Sequence, residues 1–128
     1  MLSERARELI REVKIGYLAT VEGDQPRVRA MSVYVNDEGR LIMATGKGTD
    51  KYRQAVANPK AELCFVSERW DQLRIEGWLK IIEDQAEKDR HWAAAPGLEN
   101  YFESPSDPDY VLFELVPSRI NMYEPEQG

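Results

Sequence analysis

The sequence predicts a mainly β fold, a small antiparallel barrel carrying short helices. Three observations lead there. Two turn signals, Gly23-Asp24-Gln25-Pro26 and Asp37-Glu38-Gly39, each join runs rich in β-branched and aromatic residues, the pattern of consecutive hairpins. Further short apolar runs follow at 60–68, 72–83, 110–116 and 119–123. Helical periodicity is confined to three brief stretches. With 128 residues the chain is expected to be one domain, 1–128, and no repeat, low-complexity segment or linker divides it.

Residues 3–14 come first. Ala6, Leu9, Ile10 and Val13 share one helical face, with Ser3 as the expected cap and Gly16 as the stop. Residues 15–22 and 27–36 read as strands, and 40–45 as a third; two hairpins in a row predict an antiparallel meander. Gly46-Lys47-Gly48 then breaks the pattern, and Thr49 or Asp50 caps a short helix, 51–57, that Asn58-Pro59 ends. In the strand 72–83, Leu73, Ile75, Gly77, Leu79 and Ile81 fall on one face. A glycine inside such a run signals a bulge or a close approach by other atoms. Asp84-Gln85-Ala86-Glu87 has the form of a capping box, opening a helix that reaches about residue 94. A short helical turn and loop are expected over 99–106. The last two strands, 110–116 and 119–123, are expected to be split by Pro117.

Bulk properties narrow the function. A net charge of −6 argues against a nucleic-acid binder, which needs a dominant basic face. No run approaches the ~18 apolar residues that read as a membrane span, and the charged, amphipathic N-terminus is unlike a signal peptide. One cysteine, Cys64, cannot form an internal disulfide. These features together predict a cytoplasmic protein. Cys64 and the single histidine, His91, are not in a metal-ligand spacing, so no metal site is expected. His91 reads as a packing or surface residue, Cys64 as a core thiol, and Trp70, Trp78 and Trp92 as core or interface aromatics.

Charge is unevenly spread. Residues 27–53 hold six basic side chains against three acids, a net +3, whereas 83–128 hold three against eleven, a net −8. A cationic stretch in an anionic chain suggests a small anionic ligand, most simply a phosphate. Arg27 and Arg29, two apart, point to one face of their strand, and Met31, Val33 and Val35 continue that face. Arginine suits phosphate where two-point contact matters. Downstream, Thr45-Gly46-Lys47-Gly48-Thr49-Asp50-Lys51 combines hydroxyls, flexible backbone, lysines and a helix N-terminus, whose free N–H groups bind phosphate. The spacing is not that of a Walker A loop. The plainer alternative is an ordinary strand-to-helix loop with two surface lysines.

The order Gly16-Tyr17-Leu18-Ala19-Thr20, Pro26-Arg27-Val28-Arg29, Met43-Ala44-Thr45 with Lys51 six residues on, Asn58-Pro59, Arg74-Ile75-Glu76-Gly77 and a late helix with Trp92 resembles the pyridoxamine 5′-phosphate oxidase-like family. The resemblance spans about residues 10 to 123. It implies a split β-barrel homodimer with FMN in a cleft between the subunits. By position it implies that Arg29 reaches the flavin phosphate, that Thr45, Thr49 and Lys51 form the phosphate loop, and that Gln72 approaches the flavin ring from the other subunit. Arg27, Ala44 and Lys47 are adjacent candidates.

Two positions depart from the vitamin B6 oxidases, which have a basic residue where this chain has Asp50 and a substrate-side lysine where it has Tyr34. The chain also ends without their longer C-terminal segment. The resemblance is therefore to the short, general-stress-type members. It implies a flavin-dependent oxidoreductase that moves hydride or electrons between a nicotinamide donor and a small substrate. No side chain stands out as a catalytic acid or base. Two alternatives stay open: an F420-dependent reductase of the same superfamily, and a non-enzymatic flavin-binding or sensing protein.

Overall fold

The computed structural model describes residues 2–125. Helix α1, Glu4–Val13, opens the chain; the Ser3 hydroxyl accepts from the Ala6 N–H, as the sequence predicts. It stops earlier than Gly16, because Lys14 takes a left-handed conformation at φ 65° and donates its N–H to the Ile10 carbonyl. Strands β1, Ile15–Glu22, and β2, Gln25–Ser32, form the first hairpin. The expected strand 27–36 is interrupted at Val33, after which β3, Tyr34–Val35, pairs with β4, Leu41–Gly46. Then come α2, Asp50–Ala57, β5, Lys60–Val66, β6, Gln72–Ile82, α3, Gln85–Ala94, and β7, Tyr110–Tyr123.

All seven strands belong to one antiparallel sheet in the order β2-β1-β5-β6-β7-β4-β3. This replaces the expected meander. β2 and β3 are separated in the chain by Val33 alone, yet they are opposite edges of the sheet. The sheet must therefore curl until its edges meet at that residue. The Val33 N–H bonds the Lys14 carbonyl at 2.9 Å, tying the crossing point to the end of α1.

The expected break at Pro117 does not occur, and β7 runs through it. The register against β6 slips between Glu76 and Gly77, and Gly77 then pairs with Pro117. A bulge is one of the few places in a sheet where a residue without an N–H fits. Gly77 is needed there: a Cβ would lie 2.0 Å from the Val116 carbonyl oxygen. The helical turn expected at 99–106 is a single 3-10 turn at Leu98–Asn100.

Two cores flank β7 and β4. Inside the curl, Leu9 and Ile10 of α1 meet Leu18, Met43, Phe65 and Phe113, all essentially inaccessible. Outside it, Ile42, Leu112 and Tyr110 pack with Trp92 of α3 and Phe102. α3 is capped by Asp84, which accepts from the Glu87 N–H. The Glu87 carboxylate instead reaches Arg40 at 2.8 Å. His91 is buried in this second core, its Nδ1 2.8 Å from the Tyr110 hydroxyl. Cys64 is half-buried in β5, and burial pushes its thiol above the usual value.

Candidate functional site: a cationic cleft where β2 meets α2

In the β1–β2 hairpin, Arg29 lies opposite Leu18 and Arg27 opposite Thr20. Leu18 and Thr20 are buried on the inner side of the sheet, so both arginines face inward, beyond the end of the apolar core. Helix α2 packs on β1 beside them. It starts there because Thr49 caps it, donating its hydroxyl to the Gly46 carbonyl at 2.8 Å and accepting from the Tyr52 N–H at 3.3 Å. Between β2 and α2 lies a cleft of about 530 Å³.

Its floor holds Arg29, Gln54 and Lys51. The Arg29 guanidinium donates to the Leu18 carbonyl at 3.1 Å, the Thr20 hydroxyl at 2.7 Å and the Gln54 side-chain oxygen at 2.7 Å. Burial holds its pKa below the ordinary arginine value. Lys51 sits in the first turn of α2, and burial, then the Arg29 charge, push its ammonium below the ordinary lysine value. The rim carries two carboxylates, and each is matched by its own arginine. Glu22 meets Arg27 at 2.9 Å, and Asp50 meets Arg53 one helical turn on. Among the described residues no carboxylate pairs with Arg29 or Lys51. Two cations thus face one cleft with no carboxylate paired to either. The first-turn N–H groups of Asp50 and Lys51 have no intrahelical acceptor and add to the same field.

Of the eight residues singled out from the sequence, Arg27, Arg29, Thr49 and Lys51 line this cleft. Thr45 is buried one hydroxyl behind it, 3.3 Å from Thr49. The other three lie elsewhere in the chain. Lys47 is held 2.6 Å from Glu83. Ala44 packs with the outer core around Ile42. Gln72 pairs with Val66 and Tyr123 at the far end of β6, so only a second copy could bring it to this cleft. Gln54, in the cleft lining, and Thr20, behind it, hold Arg29 and were not singled out from the sequence. The signal for Gln54 was available: it lies three residues after Lys51 and so on the same helical face.

The family model described as pyridoxamine 5′-phosphate oxidase matches residues 2–124. The chain belongs to the pyridoxamine 5′-phosphate oxidase family. Among its relatives in that family is General stress protein 26 of Bacillus subtilis, 26% identical over 125 residues that cover 94% of this chain and 87% of the relative. The crystal structure of General Stress Protein 26 from Bacillus anthracis superposes with a TM-score of 0.78 at 26% identity, covering 91% of this chain and 92% of that one. A pyridoxamine 5′-phosphate oxidase-related, FMN-binding protein from Nostoc punctiforme shares the fold, with a TM-score of 0.79 at 20% identity, 98% of this chain and 87% of that one. The curled seven-stranded sheet is thus the split barrel of the pyridoxamine 5′-phosphate oxidase-like proteins.

Proposed function

We propose that this chain is a one-domain flavoprotein that binds FMN by its phosphate in the cleft between β2 and α2. It works as a cytoplasmic homodimer, as an oxidoreductase between a nicotinamide donor and a small substrate. The observation that carries the reading is the pair Arg29 and Lys51, two cations converging on one cleft without a carboxylate between them. Leaving like charges unopposed costs free energy in the empty protein, and a phosphate dianion removes that cost. The residues present fit the group: Arg29 and Lys51 supply charge, and the start of α2 supplies N–H donors. The FMN-binding neighbour from Nostoc lends the cofactor its name.

FMN, when bound, supplies the hydride or electron chemistry; the chain supplies binding, orientation and charge. Arg29 and Lys51 anchor the phosphate, and Gln72 of a second copy closes over the ring. FMN is favoured over F420 because F420's larger, more acidic tail needs more than the two unmatched cations found here.

The freshly purified protein should show a flavin absorption spectrum and release a molecule with the mass of FMN on denaturation. Arg29→Ala should weaken FMN binding by a few kcal/mol, about the cost of losing a charge-assisted contact. Bleaching of the flavin band by NADH or NADPH marks an oxidoreductase; tight FMN binding without bleaching marks a binding or sensing protein. A colourless protein that cannot be reconstituted with FMN, or an Arg29→Ala variant with wild-type affinity, would falsify the assignment.

A further inference from the structure

Arg29 is held in place before any ligand arrives. Its partners Thr20 and Gln54 are among the few buried polar side chains, 1% and 6% exposed, and they are bonded to each other at 2.6 Å. A guanidinium has five N–H donors in a fixed fork. Nη1 uses both of its protons, on the Leu18 carbonyl and the Thr20 hydroxyl. Nη2 uses one, on Gln54 Oε1. Because Thr20 and Gln54 touch, they occupy the edge where Nη1 and Nη2 lie side by side. The Nε proton and the second Nη2 proton remain. These two lie together on the other edge of the fork, which is suited to two-point contact with a phosphate. All three partners are neutral, so the positive charge stays available.

We propose that Thr20 and Gln54 are positioning residues: they clamp Arg29 through one edge, keep its Nε–Nη2 edge turned to the ligand phosphate, and leave its charge intact. The proposal rests on the reading of the cleft as a phosphate site. A carboxylate at position 54 would hold the arginine equally well but cancel its charge. An apolar side chain would spare the charge but release the guanidinium.

The test measures dissociation constants for FMN and for riboflavin, which has the ring and no phosphate, by quenching of flavin fluorescence. Wild-type protein should prefer FMN. Gln54→Leu and Thr20→Val should each cut that preference about tenfold or more by losing a charge-assisted hydrogen bond, with riboflavin affinity unchanged. Gln54→Glu should cut it at least as far, and Thr20→Ser should restore it to within about threefold of wild type. Thermal melting of each apo variant checks folding, and Gln54→Met stands in if Gln54→Leu does not fold. If Gln54→Glu and Thr20→Val keep the wild-type preference while Arg29→Ala loses it, the clamp is wrong and the phosphate site stands. Equal loss of FMN and riboflavin affinity reduces the pair to a general structural role and overturns the proposal. If wild type shows no preference, or Arg29→Ala retains it, the phosphate reading itself fails.

Discussion

A single side chain decides the acid behaviour expected of the outer core. The Tyr110 hydroxyl donates to the Lys88 carbonyl at 3.3 Å, so its one proton is committed and His91 Nδ1 must be the donor in their 2.8 Å contact. That selects the Nδ1–H tautomer of the neutral ring. Burial lowers the His91 pKa to about 4, below the unfolded value near 6.5. Between those values the unfolded chain binds a proton that the folded chain refuses. The His91 contribution to stability is therefore complete above about pH 6.5 and falls as the pH drops toward 4, by about 3 kcal/mol. Urea midpoints measured at pH 7, 5.5 and 4.5 should fall along that course. His91→Leu should start lower and show a shallower fall. Parallel curves for the two proteins would remove His91 as the cause. Residues of the candidate cleft were legible where charge marked them, at Arg29 and Lys51. Thr20 and Gln54 carry no charge, and only the packing of α2 on β1 brings them to Arg29.

At the scale of elements, the bulge in β6 makes the sharpest prediction. A Cβ on Gly77 would meet backbone, the Val116 oxygen at 2.0 Å, and backbone opposite a proline cannot swing aside as a side chain would. Gly77→Ala should cost about 3 kcal/mol or more, at the upper end for overpacking. That corresponds to a Tm lower by about 10 °C. Gly48 is the control, since a Cβ there meets nothing within 4 Å and Gly48→Ala should leave Tm within about 1 °C. A Gly77→Ala protein as stable as the control would mean that the ladder slips without strain. The sequence marked this glycine but set Pro117 as a strand end. The two facts are one: the glycine makes room for the chain that carries the proline, and neither residue predicts the pairing alone. Some strand limits were legible from local chemistry, as at Ile15–Glu22, but not those at Val33 and Pro117. Strand order was not, because it depends on how a curled sheet closes. Val33 shows why: one residue inside a run that reads as a single strand separates opposite edges.

For the whole molecule, the sheet's outer surface carries the exposed apolar side chains that bear on the proposed dimer. Tyr17, Cys64, Arg74 and Asn121 lie in register across β1, β5, β6 and β7, on the side away from the buried Leu18, Leu63 and Leu73. Around that row Ile15, Tyr17, Trp78 and Tyr123 are 40–56% exposed. Among the described residues no helix covers this face, and apolar residues grouped on a strand face mark association surfaces. Gln72 is on the same strands and the same side. A two-fold dimer through this surface, the commonest symmetry for soluble oligomers, would bury these aromatics and bring Gln72 of each copy to the seam. Sedimentation velocity at micromolar concentration should therefore show a dimer. Trp78→Glu and Tyr17→Glu, which place charge on the surface without touching the inner core, should shift it toward monomer. Because neither residue lines the cleft within its own chain, a fall in FMN affinity that tracks the monomer fraction would show that the flavin site spans two copies. Monomeric variants that bind FMN as tightly as the dimer would place the whole site within one chain.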